Sequence, residues 1–182
     1  QWIDSGLLGH KPSRQSRSPA PPEHLGRAGG RLGDMRILIT GCSTGFGRAT
    51  SIEATRRGHE VVATARDITT LTDLDVAQRL VLDDSAMAEA GTVDALVNNA
   101  GVDRHGPVEA YPEDVARWIM DTNFWGTFRM TCAVAPAMRE QGSGVIVNMS
   151  SVQGRVGTPL GGIYSASKAA IESYSESAHF EL

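Results

Sequence analysis

From Met35 onward, short apolar runs alternate with longer segments of helical period, and this alternation constrains the fold more than any other feature of the sequence. The apolar runs predict five strands, at 36–40, 60–65, 79–82, 95–97 and 144–148. The intervening patterns predict helices at 45–57, 112–140 and 163–182, the first with an apolar face of Phe46, Ala49, Ile52 and Ala54. Strands that alternate with helices are typical of βαβ units, so the sequence predicts an α/β fold with a doubly wound parallel sheet.

Composition narrows the class of protein. The 182 residues are 41% hydrophobic and 21% charged, which suits one globular domain. The formal net charge of -4 and the lack of a basic block argue against a nucleic-acid partner. No apolar segment reaches the roughly 18 residues that a membrane span needs, so we expect a cytoplasmic location. Cys42 and Cys132 lack metal-ligand spacing, which predicts two reduced, buried thiols and no metal site.

Residues 1–34 differ in composition from the rest. They hold four of the eight prolines and six of the twenty glycines, with no helix or strand period. We interpret this segment as a disordered tail, or as non-native sequence upstream of a start at Met35. Its Ser and Arg content leaves an organelle transit peptide as a further alternative.

A glycine-rich turn separates the first strand from the first helix. The segment Thr40-Gly41-Cys42-Ser43-Thr44-Gly45-Phe46-Gly47 has G-x-x-x-G-x-G spacing. Glycines allow a tight turn and a close backbone approach, and the helix N-terminus offers free N–H groups to a pyrophosphate. The alternative is a small-residue turn that serves packing alone.

Two further segments give the turn its context. Asn98-Asn99-Ala100-Gly101 follows the fourth strand, and Tyr164-Ser165-Ala166-Ser167-Lys168 places a phenol and an ammonium on one face of a helix. Ser151 lies thirteen residues before Tyr164. Together these segments resemble the T-G-x-x-x-G-x-G, N-N-A-G and S…Y-x-x-x-K motifs of the classical short-chain dehydrogenase/reductase family. The resemblance covers essentially all of residues 35–182 and implies a Rossmann-type, NAD(P)-binding domain.

The resemblance implies roles for four side chains. Tyr164 is expected to act as the general acid/base, and Lys168 to hold the nicotinamide ribose and favour the tyrosinate. Ser151 is expected to hydrogen-bond the substrate oxygen, because the spacing to Tyr164 selects it over Ser150. Asn123 matches the asparagine that kinks a helix and supports a water between Lys168 and solvent.

The cofactor follows from the same resemblance. Ala65 stands at the end of the second strand where NAD-dependent relatives place an acid, and Arg66 follows it. A 2′-phosphate needs a cation, so we expect NADP(H), with Ser43 as a second phosphate contact and NAD(H) left open. Asp83 or Asp84 would contact the adenine. The expected cofactor-binding residues are Gly41, Ser43, Gly45, Phe46, Gly47, Arg66, Asp83, Asn98, Ala100, Gly101, Tyr164 and Lys168.

The predicted function is hydride transfer between NADP(H) and a carbonyl or secondary alcohol. The sequences of residues 63–67, 106–109 and 151–154 are similar to those of the hydroxysteroid and retinol dehydrogenase branch of the family. This similarity implies a bulky, hydrophobic small-molecule substrate. The alternatives are a non-catalytic nucleotide-binding or regulatory protein, or an inactive fragment. Relatives continue with two further strands, so we expect an incomplete C-terminus here and a homodimer or homotetramer in the whole protein.

Three other features are expected to be peripheral or structural. His105 is a candidate for the substrate entrance, although a loop histidine is more often merely exposed. Trp118 and Trp125 are expected to pack in the core or at a subunit interface. Asn98 lies only fifteen positions after Asp83, which leaves room for one or two helical turns at 85–90.

Overall fold

A computed structural model describes residues 35–83 and 85–182, so the interpretations of 1–34 and of Asp84 lie outside the described residues. One parallel sheet forms the centre of the fold, and its strands lie in the order β3-β2-β1-β4-β5. The order reverses between β1 and β4, and ligands of such sheets bind at this switch point, outside the carboxyl ends of the strands. The strands are β1 (Arg36–Ile39), β2 (Glu60–Ala65), β3 (Gln78–Val81), β4 (Ala95–Asn98) and β5 (Val145–Asn148).

The helices follow the predicted order, with one interruption. The predicted helix at 112–140 is divided by a π-helical turn, Asp121–Trp125, whose hydrogen bonds span five residues instead of four. The predicted α/β fold and the five strands are confirmed, with ends that differ by one residue. The helices are α1 (Gly45–Arg56), α2 (Ala86–Ala90), α3 (Glu113–Met120), α4 (Gly126–Gln141) and α5 (Gly162–Glu181).

Two hydrophobic clusters lie against the sheet. Leu38 pairs with Val62 and Leu96 across β1, β2 and β4, and all three belong to the cluster that Met130 and Val134 of α4 cover. The neighbouring residues Ile39, Val61 and Ala63 belong to the other cluster, together with Ala54 of α1. Successive side chains of a strand point to opposite faces, so both faces of the sheet are buried at β1, β2 and β4, whereas Val145 and Val147 of β5 are exposed.

The predicted apolar face of α1 is wrong at three of its four residues, and only Ala54 is buried as predicted. Phe46 is 77% exposed and Ile52 53%, and Ala49 is exposed as well. The buried residues of α1 are Gly47, Ser51 and Ala54. Small side chains allow the helix backbone to approach the sheet closely, and Phe46 instead reaches into the cavity described below.

One other burial prediction fails: Cys42 is buried as predicted, but Cys132 is exposed on α4. Trp118 and Trp125 are 40% and 46% exposed, so neither is a core residue, and their place at a subunit interface stays a prediction. The Trp125 ring packs edge-on against Phe124 and Phe128 at the surface. An amphipathic ring can cover a helix flank in this way while its other face stays solvated.

The short connection between β3 and β4 contains little more than one helical turn, as predicted. α2 has five residues, of which Ala86 and Ala90 are buried. Asp83 begins this connection, and its carboxylate accepts hydrogen bonds from the backbone N–H and the hydroxyl of Ser85. Within the described ranges, no helix has the length and apolarity that crossing a membrane would require.

Candidate active site

The glycine-rich turn packs directly against the segment that follows β4. Gly41 has φ +73°, and a Cβ placed there would lie 2.8 Å from the Ala100 Cα. A Cβ on Gly47 would lie 2.4 Å from the Gly41 carbonyl oxygen. Both positions therefore require glycine, one for its backbone conformation and both for space.

Buried polar groups fasten the inner side of the turn. The Ser51 hydroxyl donates to the Gly47 carbonyl at 2.8 Å and lies 3.2 Å from the Cys42 Sγ. The Cys42 N–H donates to the Thr64 carbonyl. Burial raises the pKa of the Cys42 thiol, which disfavours the reactive thiolate. Cys42 is thus a packing residue.

The amino end of α1 faces outward with its backbone donors available. Thr44 is the N-cap residue but makes no side-chain capping bond, and the first turn contains no acidic residue. Side chains therefore leave the donors and the positive end of the helix dipole available to an anionic group.

Asn99 joins the glycine-rich turn to the segment that follows β4. It was not among the expected cofactor-binding residues. Its Nδ2 donates to the carbonyls of Thr40 (2.8 Å) and Gly41 (3.1 Å). The Thr40 hydroxyl in turn accepts the N–H groups of Asn99 and Ala100. The sequence signal for Asn99 was its place in Asn98-Asn99-Ala100-Gly101.

Asn98 lies on the other side of the same loop. It is buried, and its Nδ2 donates to the Asn148 Oδ1 at 2.9 Å and to the Thr131 hydroxyl at 3.3 Å. These bonds tie β4 to β5 and α4. The side chain of Asn98 therefore holds the sheet edge together beneath the site.

Ser151, Tyr164 and Lys168 come together at the end of β5 and the start of α5. The Lys168 Nζ lies 5.7 Å from the centre of the Tyr164 ring. It donates to the Met149 carbonyl at 2.7 Å, and its residue is only 5% exposed. Burial lowers the pKa of the Lys168 ammonium. An ammonium has three N–H donors, so two remain for other partners.

Ser151 begins a short 3₁₀ turn, Val152–Gly154. Its Oγ accepts the N–H of Gln153 at 3.2 Å, which caps the turn. Because the oxygen accepts this bond, the hydroxyl proton is left to donate to another acceptor. Ser150, over which the spacing selected Ser151, also lines the cavity, and its hydroxyl donates to the Lys168 carbonyl at 3.4 Å.

Asn123 lies within the π-helical turn and is fully buried. Its Oδ1 accepts the Val102 N–H at 2.8 Å, and its Nδ2 donates to the Val102 carbonyl and to the Ser167 hydroxyl, each at 2.9 Å. The amide therefore connects α5 to the loop that follows β4. Asn123 does not line the cavity, so it acts on the site through these contacts.

The end of β2 lies beside the glycine-rich turn. Ala65 is buried, and Arg66 is exposed and lines the same cavity as Ser43. Asp67 accepts bonds from the hydroxyl (2.6 Å) and the N–H (3.0 Å) of Thr69, which lower the pKa of its carboxyl. The carboxylate of Asp67 thereby caps the 3₁₀ turn Ile68–Leu71.

One cavity of about 500 Å³ brings most of the predicted site together. A smaller cavity of about 180 Å³ adjoins it through Arg66, Leu82 and Ala100, and Asp83 and Asn98 line it. Gly47 lines neither cavity and instead packs against the Gly41 carbonyl. His105 is exposed, 3.4 Å from Asp103, and does not line the cavity. The predicted residues that line the larger cavity are Gly41, Ser43, Gly45, Phe46, Arg66, Ala100, Gly101, Ser151, Tyr164 and Lys168.

The residues present fit a dinucleotide. The turn leaves no room for a Cβ at Gly41 or Gly47, the helix N-terminus is free of acid, and the cavity runs from Arg66 to Lys168. A cavity of this size at a switch point suits a phosphorylated cofactor.

Comparisons with known proteins agree with this geometry. Residues 35–182 match the family model described as short chain dehydrogenase. Over 157 residues the chain is 38% identical to 3-ketodihydrosphingosine reductase of Bacteroides thetaiotaomicron, covering 80% of the chain and 58% of that protein. It is 36% identical over 166 residues to human retinol dehydrogenase 8, covering 80% of the chain and 53% of that protein.

A solved structure with a similar fold is a gluconate 5-dehydrogenase from Burkholderia cenocepacia in complex with NADP and tartrate. Its TM-score is 0.73 at 30% identity, covering 81% of this chain and 65% of that one. The curated relatives described above are longer than this chain, which spans little more than half of their length. The match across 35–182, at these identities, makes this chain a member of the short-chain dehydrogenase family.

Proposed function

We propose that the protein to which this chain belongs is an NADP(H)-dependent oxidoreductase that interconverts a carbonyl compound and a secondary alcohol. The observation that carries the proposal is the shared cavity. Ser151, Tyr164 and Lys168 line it together with Ser43 and Arg66. A bound NADP(H) would supply or accept the hydride.

The chain's own residues handle the proton. In the direction of reduction, Tyr164 donates its phenolic proton to the carbonyl oxygen, so that the alcohol O–H forms as the phenol O–H breaks. The Ser151 hydroxyl, whose oxygen already accepts the Gln153 N–H, donates a hydrogen bond to the same substrate oxygen. The Lys168 ammonium stabilises the tyrosinate that remains. In the direction of oxidation each step runs in reverse.

Arg66 and Asp67 support a preference for NADP(H) over NAD(H). Arg66 borders the cavity, and a guanidinium pairs with a phosphate through two parallel hydrogen bonds. Asp67 is the nearest acid in the sequence, but its carboxylate is engaged by Thr69. Asp67 also does not line the cavity, so Arg66 is the charged residue that this strand end presents there.

Exposed aliphatic residues beside Ser151 support an apolar substrate. Val152 is 82% exposed, and Val156 and Leu160 of the same loop are exposed as well. The two curated relatives described above are named for 3-ketodihydrosphingosine and retinol. Both names denote hydrophobic compounds, and we accordingly propose that the substrate of this protein is hydrophobic.

The catalytic assignment is tested by Tyr164→Phe in the whole protein. Turnover of NADPH with acetophenone, cyclohexanone and 2-decanone should fall by about 10²–10⁴-fold, because the change removes the proton donor. NADPH affinity, measured by fluorescence titration, should stay within about twofold, since the ring remains. Lys168→Met should reduce both turnover and affinity.

Tyr174→Phe is the matched control. Tyr174 lies on α5 too, but packs against Phe124 and Phe128 outside the cavity. Its loss of the hydroxyl should leave turnover within about twofold. Retention of more than roughly a tenth of the activity in Tyr164→Phe would contradict the assignment.

The cofactor preference is tested by titrating NADPH and NADH against the parent and Arg66→Ala. The parent should bind NADPH more tightly, and the variant should lose that preference by weakening NADPH alone. Arg57→Ala is the control, because Arg57 is exposed at the carboxyl end of α1 and pairs with Glu53. Equal affinities in the parent, or an unchanged preference in Arg66→Ala, would refute the proposal.

A further inference from the structure

Ser167 occupies a position between the two residues on which the proposed function depends. It lies on α5 between Tyr164 and Lys168 and is fully buried. Its Oγ donates to the Tyr164 carbonyl at 2.7 Å and accepts from the Asn123 Nδ2 at 2.9 Å. No role has so far been assigned to this hydroxyl.

The direction of these hydrogen bonds follows from chemistry. The Val102 N–H is a donor, so the Asn123 atom that faces it must be the amide oxygen. The Asn123 NH₂ therefore faces Ser167 as a donor. The single Ser167 proton then goes to the Tyr164 carbonyl, which is an acceptor only. The result is a series of two hydrogen bonds with one direction, from the Asn123 amide to the Ser167 hydroxyl and from that hydroxyl to the Tyr164 carbonyl.

These hydrogen bonds fix α5 against the loop that follows β4, at the helical turn that carries both Tyr164 and Lys168. A Cβ on Gly101 of that loop would lie 3.4 Å from the Asn123 Oδ1 and 3.6 Å from the Lys168 Nζ. The buried ammonium of Lys168 thus lies beside the same backbone that the Asn123 amide binds. A displacement of α5 relative to this loop would move Tyr164 and Lys168 together relative to the cavity.

We propose that Ser167 is a positioning residue, which holds Tyr164 and Lys168 at the geometry of the reaction through Asn123. This inference rests on the proposed oxidoreductase function. It concerns the placement of the catalytic groups and assigns Ser167 no contact with the substrate.

The chain offers a matched control on the same helix. The Ser175 Oγ donates to the Ile171 carbonyl at 2.7 Å and accepts from the Asn148 Nδ2 at 2.8 Å. Ser175 thus makes a similar pair of bonds about two turns farther along α5, although it reaches the carbonyl four residues back instead of three and is half-buried. It does not line the cavity that contains Tyr164 and Lys168. A purely structural role would give the two serines similar effects on turnover and cofactor affinity.

The test compares Ser167→Ala, Ser167→Thr and Ser175→Ala in the whole protein. Misplacement of a reacting group by about 1 Å can cost up to 10²-fold in rate. We expect kcat to fall about tenfold or more in Ser167→Ala, with the KM for acetophenone within about threefold. NADPH affinity in a fluorescence titration should weaken about threefold or more, because Lys168 moves. Ser175→Ala should change neither quantity by more than about twofold.

Ser167→Thr separates the hydroxyl from the fold. A helical threonine can bond the carbonyl one turn back, so this variant keeps the bridge even if the added methyl lowers its melting temperature. Its kcat and NADPH affinity should lie closer to the parent than to Ser167→Ala. The inference is overturned if Ser167→Ala matches Ser175→Ala in both quantities, or if Ser167→Thr is as impaired as Ser167→Ala.

The proposed oxidoreductase activity and the positioning role of Ser167 can be refuted separately. A parent that binds NADPH without reducing any of the three ketones would refute the proposed activity, and the NADPH affinities of the variants would still test the positioning role. A parent that binds no NADPH would refute both. A parent that is active while Ser167→Ala and Ser175→Ala behave alike would refute the positioning role only.

Discussion

The glycine-rich turn and the start of α5, which carries Tyr164 and Lys168, line one cavity, and they are built by opposite means. The turn is shaped by backbone contact, since Gly41 and Gly47 leave no space for a Cβ. The start of α5 is shaped by side-chain hydrogen bonds through Asn123 and Ser167. The comparison teaches that the first region should be sensitive to added atoms and the second to lost hydrogen bonds.

Asn123→Ala tests the second half of the comparison and should have the largest effect. It removes three hydrogen bonds and leaves Val102 and Ser167 without these partners in a buried place. A buried unsatisfied polar group costs about 1–3 kcal/mol, so the free energy of unfolding should fall by about 3–4 kcal/mol. Urea denaturation measures the loss. Asn148→Ala is the control, and an Asn123→Ala loss no larger than the control's would break the comparison.

Gly47→Ala tests the first half. The new Cβ would meet the Gly41 carbonyl and the Asn99 amide, so the turn must shift, at a cost of about 2–3 kcal/mol. NADPH affinity should fall with it. Gly45→Ala is the matched variant, because a Cβ there meets nothing within 4 Å and the cost of about 1 kcal/mol comes from φ +60° alone. Equal losses in the two variants would show that backbone conformation, and not close contact, limits the turn.

Ser51→Ala should have the smallest effect and sharpens the contrast. Although Ser51 is fully buried, its hydroxyl bonds only the Gly47 carbonyl of its own helix and the weak acceptor Sγ of Cys42. The free energy of unfolding should fall by about 1 kcal/mol or less, with NADPH affinity unchanged. A loss as large as that of Asn123→Ala would mean that both regions depend on side-chain bonds alike.

Local pattern was enough to predict the sheet. β2 has the predicted bounds, because its run of β-branched and small residues is buried on both faces. The face of α1 was predicted wrongly, since periodicity counts Phe46 and Ile52 as core residues while the sheet requires the small side chains of Gly47 and Ser51. The pattern describes hydrophobicity, whereas the distance between helix and sheet decides which residues fit.

The site was predictable only in part. The residues that line the cavity follow from the strand ends and from the resemblance to known motifs. Asn99 and Ser167 were missed because their partners are far away in sequence: Asn99 binds Gly41 across 58 positions, and Ser167 binds Asn123 across 44. A hydrogen bond over such a distance leaves no periodic trace in the chain.

The π-helical turn at Asp121–Trp125 also limits how the length of this chain can vary. A turn closed over five residues holds one residue more than a regular helix, and this offset turns α4 by about 100° relative to α3. Deleting a single residue there would restore a regular helix and rotate the Asn123 amide away from Val102 and Ser167. An insertion or deletion inside this turn would therefore have to be compensated within the same helix to keep the Asn123 amide in place.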